Sequence, residues 1–305
     1  TNTSVLRPYG VWAVVAPWNF PYALLGAPMA AALLAGNTVV GKPSSETPLS
    51  GLLLAEIFRD AGFPAGTVNL ITGSGRVIGD ALALHPDVAG VTFTGSYDVG
   101  FSHLYRRFST QYPKPCIVEM GGKNPAIVMD SAELDRAVMG VYRSAFGMGG
   151  QKCSACSRLY VHEKVADELL ARLVTMANET RIGDPTDKTT FLGPVGTRAG
   201  YEDFQRFAAL GRRDGIILAG GEVLAEGAWG RGYFVRPTIV AGLPQDHELV
   251  KNELFVPFLC VSRISRLDEA LNLANASTFG LTAGFFSQRQ EEIDAFLDGI
   301  EAGVV

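Results

Sequence analysis

Cys153 and Cys156 stand six and nine residues into GMGGQKCSACSRLYV, positions 147–161, and are the closest pair among four cysteines. A C-x-x-C can be a redox dithiol, half of a metal site, or one nucleophile beside a bystander. A zinc site needs a second Cys or His pair, and His85, His103, His162 and His247 show no such grouping, so no metal is expected. A thioredoxin-like dithiol opens a helix after a strand, whereas this pair follows a helical pattern through a glycine-rich loop. A nucleophile or two inert thiols remain.

Four other short stretches carry groups that could act on a substrate. PWNFP holds Asn19 between two prolines, where its amide could donate to a developing oxyanion or bond its own backbone in a turn. VVGKPSSETP puts Lys42 at the end of a strand, the ligand side of an open α/β sheet, although most lysines point into solvent. FTGSYDVG presents Gly95, Ser96 and Gly100 in a strand-to-helix turn that could cradle a phosphate or merely turn the chain. VEMGGKNP puts Glu119 before a Gly-Gly, where a carboxylate could serve as general base if partial burial raised its pKa.

These residues need a scaffold of alternating elements. VWAVVA, TVVGK, TVNLIT, VAGVTF and CIVEM read as strands with helical runs between them, which predicts a parallel α/β sheet. A second alternation starts at AIVMD. It continues through a helix over 132–146, the strand RLYVH, a helix over 164–180, a helix over 198–211, the strands GIILAG, FVRPTIV and FLCVSRI, a helix over 267–275, LTAGFFS and a helix over 290–298 stopped by Gly299. The glycines at 121 and 122 break the pattern and divide the chain into residues 1–121 and 122–305.

At 305 residues the chain is long enough for two cores. A net charge of −5 offers no basic footprint for nucleic acid. The most apolar stretch, PYALLGAPMAAALLAGNTVV, carries two prolines and two glycines and reads as a buried helix and strand rather than a membrane span. Few, scattered cysteines point to a reducing, cytoplasmic setting. The chain begins on TNTSVLRPYG and stops at EAGVV just as a strand starts, which predicts a segment of a longer protein.

In this order PWNFP, GNTVVGKPS, FTGS with Gly100, EMGGKNP, GQKC and ELFVPF resemble the aldehyde dehydrogenase superfamily over almost the whole chain. The resemblance implies an α/β fold with a parallel-sheet nucleotide-binding domain over 1–121, an α/β catalytic domain over 122–305, and a small oligomerisation flap in the complete protein. It implies that Cys153 is the nucleophile, Glu119 the general base, and Asn19 with the Cys153 amide the oxyanion donors. Lys42 matches the adenosine-ribose ligand, Gly95, Ser96 and Gly100 the pyrophosphate turn, Trp18 and Thr94 the lining of the cofactor cleft, and Glu253 with Phe255 the nicotinamide-ribose side. The cofactor implied is NAD or NADP, the partner a small-molecule aldehyde, and the complete protein a homo-oligomer. GQKCSACSR most resembles the branch that oxidises glutamate semialdehyde, the open form of 1-pyrroline-5-carboxylate, with Ser154 helping to hold the substrate carboxylate. Other semialdehydes, a non-catalytic relative that keeps the fold, and an enzyme passing its thioester to coenzyme A are the alternatives, and Glu119 argues against the last.

Two departures bear on function. Ser45 stands where the family often has an acidic residue gripping the ribose, with Glu46 one place later, so repulsion against a 2′-phosphate is lost and NADP is expected beside NAD. Val256 replaces a glycine in the segment usually ending FGP, which predicts a stiffer loop beside Glu253 and Phe255.

Overall fold

The computed structural model describes residues 2–109 and 112–305. The chain separates into two compact units between Met120 and Gly121.

The first unit is a five-stranded parallel sheet. Its elements are β1 (Val11–Val15), α1 (Ala23–Leu34), β2 (Thr38–Lys42), α2 (Pro48–Asp60), β3 (Val68–Leu70), α3 (Gly75–Ala83), β4 (Val88–Thr94), a π-helix over Asp98–Tyr105, α4 (Arg106–Phe108) and β5 (Cys116–Glu119). The strand order is β3-β2-β1-β4-β5. Strand order therefore reverses between β1 and β4, which pair in parallel from Val11 to Phe93. Crossover connections cover a parallel sheet on its faces, so its strands are apolar on both sides. Ala13, Val14, Val39 and Val91 are accordingly fully buried. Pro48 opens α2, where its missing N–H costs nothing, and Ser74 caps α3 by accepting from Arg76 N.

The second unit holds β6 (Asn124–Val128), α5 (Leu134–Phe146), β7 (Cys156–His162), α6 (Glu163–Asn178), α7 (Arg198–Asp214), β8 (Ile216–Ala219), β9 (Val223–Leu224), β10 (Phe234–Val235), β11 (Thr238–Ala241), α8 (Glu248–Lys251), β12 (Phe258–Ile264), α9 (Leu267–Asn275), β13 (Gly284–Phe286) and α10 (Gln290–Gly299). Its main sheet runs β13-β6-β7-β12-β11-β8, parallel except for the antiparallel edge strand β8. Helix α5 buries Val138, Val141, Tyr142 and Ala145, the spacing of one helical face, against the core that holds Leu159 and Leu169. Each fully buried leucine there contributes about 1.5–3 kcal/mol.

The sequence expectation of one strand in FVRPTIV is corrected. Pro237 has no N–H for a ladder, so the run splits into β10, paired with β9, and β11, paired with β12. LTAGFFS shortens to three paired residues, and Gly299 is the last residue of α10 rather than the first beyond it.

Candidate active site

In the first unit the singled-out residues stand at one end of the sheet. Trp18 and Asn19 follow β1, and the backbone there is tied to β2 by Ala16 N–H donating to Lys42 O at 3.1 Å. Lys42 ends β2 with only 5 % of its surface exposed. Its Nζ donates to Pro43 O at 3.1 Å, and burial lowers its pKa. Ser45 is exposed and donates to Gly73 O at 3.0 Å. Thr94 ends β4, and Gly95 N–H donates to Glu119 O at 3.0 Å. A Cβ on Gly95 would lie 2.6 Å from the Phe93 ring, and one on Gly100 would lie 3.0 Å from Met120. A side chain at Gly95 would thus have to displace the Phe93 ring, and one at Gly100 would press on the Met120 side chain. Glu119 ends β5 and is exposed, so partial burial is not what would fit it for a general base.

A cavity of about 720 Å³ opens within this unit, walled by Val15, Lys42, Ser74, Arg76, Phe93 and His103 among others. Asp80 on its wall is bonded by His103 and by Arg107, whose contact is 3.0 Å, and these bonds, the His103 one foremost, lower its pKa. Sequence reasoning missed Arg76, Asp80 and His103. Their only signal was polar residues on two short helical runs, Arg76 and Asp80 on α3 and His103 on the π-helix after β4.

In the second unit the cysteine turn is built by an unusual backbone. After α5 the residues Met148, Gly149 and Gly150 have φ of 54°, 65° and 65°. Gly150 is required twice over, because an L side chain disfavours that φ and a Cβ there would lie 2.4 Å from Val256 O. Gln151 is buried, donates to Met148 O at 2.9 Å and accepts from Gly196 N at 2.7 Å. Ala155 N–H closes the turn on Lys152 O at 3.1 Å. Cys153 is half-buried and Ser154 exposed.

Cys156 is different. It is 5 % exposed, its Sγ points to Arg158 O at 3.6 Å, and burial pushes its thiol up to about 12. Such a thiol stays protonated and inert at neutral pH.

Glu253 turns its carboxylate to Gly122 N–H at 2.9 Å, and burial raises its pKa against that bond and the Lys123 charge. Phe255 has φ 56°, and the next residue, Val256, is buried with the core of α7 and β12. Backbone strain in this loop sits at Phe255, where a non-glycine left-handed backbone costs about 1–3 kcal/mol.

Lys123, Asn124 and Arg158 were not singled out from the sequence, although charged or amide residues inside otherwise apolar strand runs are a legible signal. Lys123 is 1 % exposed and donates to Ser157 Oγ at 2.6 Å and Leu249 O at 2.7 Å. Burial lowers its pKa to about 8. Arg158 is 3 % exposed and donates to Lys123 O and Ala274 O, both at 2.9 Å. Asn124 Nδ2 donates to Cys153 O at 2.6 Å and Ala155 O at 2.9 Å, while its Oδ1 accepts from Thr282 N at 3.0 Å.

The family model for the aldehyde dehydrogenase family matches residues 1–305. A 1-pyrroline-5-carboxylate dehydrogenase of Bacillus cytotoxicus is 40 % identical over 301 residues, covering 97 % of this chain and 58 % of its own length. Among solved structures, a Thermus 1-pyrroline-5-carboxylate dehydrogenase with bound NAD superposes with a TM-score of 0.91 at 35 % identity, over 97 % of this chain and 57 % of that one. A betaine aldehyde dehydrogenase from Staphylococcus aureus in complex with NAD+ gives 0.94 at 30 % identity, over 98 % and 59 %. This chain thus spans just under three-fifths of the length of the relatives it matches. On the match along its full length, the chain belongs to the aldehyde dehydrogenase family.

Proposed function

We propose that the intact protein oxidises an aldehyde to a carboxylic acid with NAD or NADP, and that its substrate is L-glutamate 5-semialdehyde, the open form of 1-pyrroline-5-carboxylate. The observation that carries this reading is the row formed by Asn19, Lys42, Thr94 and Glu119 at or just beyond the carboxyl ends of β1, β2, β4 and β5. Ligands of open α/β sheets sit at that end, where strand order reverses. The likeness to 1-pyrroline-5-carboxylate dehydrogenases supports the substrate, and the similarly high TM-score with a betaine aldehyde dehydrogenase makes the fold alone insufficient to choose it.

The cavity of about 720 Å³ in the first unit supports dinucleotide binding there. It lies against Val15 of β1 and Phe93 of β4, the two strands at the reversal, and buried Lys42 shares its wall. In this reading residues 1–121 are the nucleotide-binding domain and 122–305 the catalytic domain. Lys42 and Ser45 hold the adenosine ribose, Gly95, Ser96 and Gly100 approach the pyrophosphate, Trp18 and Thr94 line the cleft, and Glu253 and Phe255 lie on the nicotinamide-ribose side. What a bound dinucleotide supplies is an acceptor for the aldehyde hydrogen as hydride.

The chain's own residues do the rest. The Cys153 thiolate adds to the carbonyl carbon, and the Asn19 amide with the Cys153 N–H receives the oxyanion. Glu119 takes a proton from the water that hydrolyses the thioester, and its exposure suits access by water. Ser154, beside the nucleophile and exposed, holds the substrate carboxylate. A homo-oligomer in the cytoplasm completes the proposal. Four free thiols support the reducing compartment.

The test is NAD(P)H formation by the intact protein over a panel of aldehydes that includes glutamate semialdehyde. Turnover with that substrate above all others, lost in Cys153→Ser, is the expected result. No turnover with any aldehyde would leave a non-catalytic relative as the correct reading.

A further inference from the structure

Asn124 is 3 % exposed, and its side chain is spent on one purpose. Both protons of its Nδ2 go to carbonyls of the cysteine turn, Cys153 O at 2.6 Å and Ala155 O at 2.9 Å. Its Oδ1 accepts from Thr282 N at 3.0 Å, so only one orientation of the amide satisfies all three partners. The carbonyl between those two, Ser154 O, faces Thr282 Oγ1 at 3.5 Å. A Cβ on Gly122 would lie 2.4 Å from Cys153 O and 2.7 Å from Asn124 Oδ1, which is why the backbone can close on the turn from that side. From the other side Ser144 Oγ accepts Cys156 N–H at 3.2 Å. The carbonyls of three consecutive residues, 153 to 155, thus face donors from the start of β6 and the lead into β13.

We propose that Asn124 is a positioning residue for Cys153, with Thr282 as its second point of attachment. It holds the peptide planes that follow Cys153 and Ala155 and, together with the Ala155 N–H bond to Lys152 O, fixes the aim of the Cys153 N–H. This rests on the reading of Cys153 as nucleophile. A peptide unit is planar, so holding the carbonyls of residues 153 and 155 while Ala155 N–H holds Lys152 O leaves the turn little freedom. Attack on a carbonyl needs both the sulfur and a correctly aimed N–H for the oxyanion. Alkylation by iodoacetamide needs only the sulfur. The two reactions therefore separate aim from reactivity.

The experiment uses the intact protein with Asn124→Ser, Asn124→Asp and Thr282→Val. Acylation of Cys153 is followed by p-nitrophenolate release from p-nitrophenyl acetate, and alkylation by iodoacetamide at the same pH. Asn124→Ser, which keeps one donor, is expected to slow acylation about 10- to 100-fold, the scale of an ångström of misplacement, with alkylation within about threefold of the parent. Asn124→Asp turns acceptor toward acceptor and is expected to fall further. Thr282→Val keeps the N–H that Asn124 Oδ1 accepts and removes only the Oγ1 contact to Ser154 O, so it is expected to show the same selectivity on a smaller scale, about two- to fivefold, and it carries the test of the Ser154 anchor if neither Asn124 variant folds. Unchanged acylation, or acylation and alkylation falling by one common factor, overturns the proposal. Undiminished p-nitrophenolate release in Cys153→Ser would instead remove the nucleophile reading on which it stands, an outcome read without touching Asn124.

Discussion

The Glu253 carboxylate occupies the space beside Gly121 that a side chain would need: a Cβ built there would lie 2.2 Å from Oε2. The same carboxylate accepts the Gly122 N–H at 2.9 Å. Two loops far apart in sequence are thereby closed on each other within the second unit, and the Gly-Gly is explained by that contact. In the proposed function Glu253 also faces the nicotinamide ribose, so the bond to Gly122 competes with that duty.

Glu253→Gln tests the cost of this burial. A carboxyl whose pKa is raised in the fold holds its proton more tightly there than in the unfolded chain. Its contribution is complete below the ordinary value of 4.5 and is lost as pH rises through the raised one. The glutamine variant has no such loss. Its melting temperature relative to the parent is expected to climb as pH rises above 4.5 and to level once the parent carboxyl has ionised in the fold, as read by thermal melts; a constant offset would refute the assignment.

Lys123→Met gives the opposite slope. The Lys123 ammonium titrates near 8 in the fold against 10.5 ordinarily, so between those values the unfolded chain binds more protons and stability rises with pH. The span corresponds to on the order of 3 kcal/mol. Urea midpoints of parent and variant, compared from pH 8 to pH 10.5, are expected to show that rise in the parent and its absence in the variant.

The two cysteines of the C-x-x-C should part company. Cys153→Ser is expected to abolish aldehyde oxidation, while Cys156→Ser keeps most of it and loses about 1–3 kcal/mol of stability from a hydroxyl placed in a buried thiol's site. Mass spectrometry after brief iodoacetamide treatment at pH 8 should find Cys153 labelled and Cys156 untouched, since the latter titrates only at about 12. Equal loss of activity from both substitutions would revive a dithiol.

Gly150→Ala introduces a Cβ 2.4 Å from Val256 O at φ +65°. The backbone must move or strain, and a loss of about 1–3 kcal/mol is expected in chemical denaturation. Gly147, where a Cβ would meet nothing closer than 3.6 Å, is the control and should tolerate alanine with a smaller loss.

In the proposed function, cofactor choice turns on Ser45. With a hydroxyl there, bonded to Gly73 O at 3.0 Å, kcat/KM for NADP is expected within about a thousandfold of that for NAD, roughly 4 kcal/mol. Ser45→Glu should widen the gap at least about tenfold by repelling a 2′-phosphate. A parent that already rejects NADP more strongly than this would sink the argument.

Much of this molecule was legible in its residues. Strand and helix periodicity carried β1 to β5 and the helices between them, because burial on two faces selects continuous apolar runs and burial on one selects helical spacing. The same patterns put Lys42 and Glu119 at strand ends, where the structure has them. Pro237 was the place where periodicity misled, since an apolar run hides a missing donor.

What the sequence by itself determined, then, is the alternation of elements, the stock of reactive groups at their ends, and through its ordered motifs the family. Only the tertiary structure decided which thiol is buried, that Lys123 lies in the core bonded to a hydroxyl and a backbone carbonyl, and that Asn124 holds the Cys153 turn. Those outcomes depend on partners 29 residues away for Cys153, 126 for Leu249 and 158 for Thr282. Local sequence restricts dihedral angles, but the energy of a buried donor is set by the acceptor that the fold brings to it.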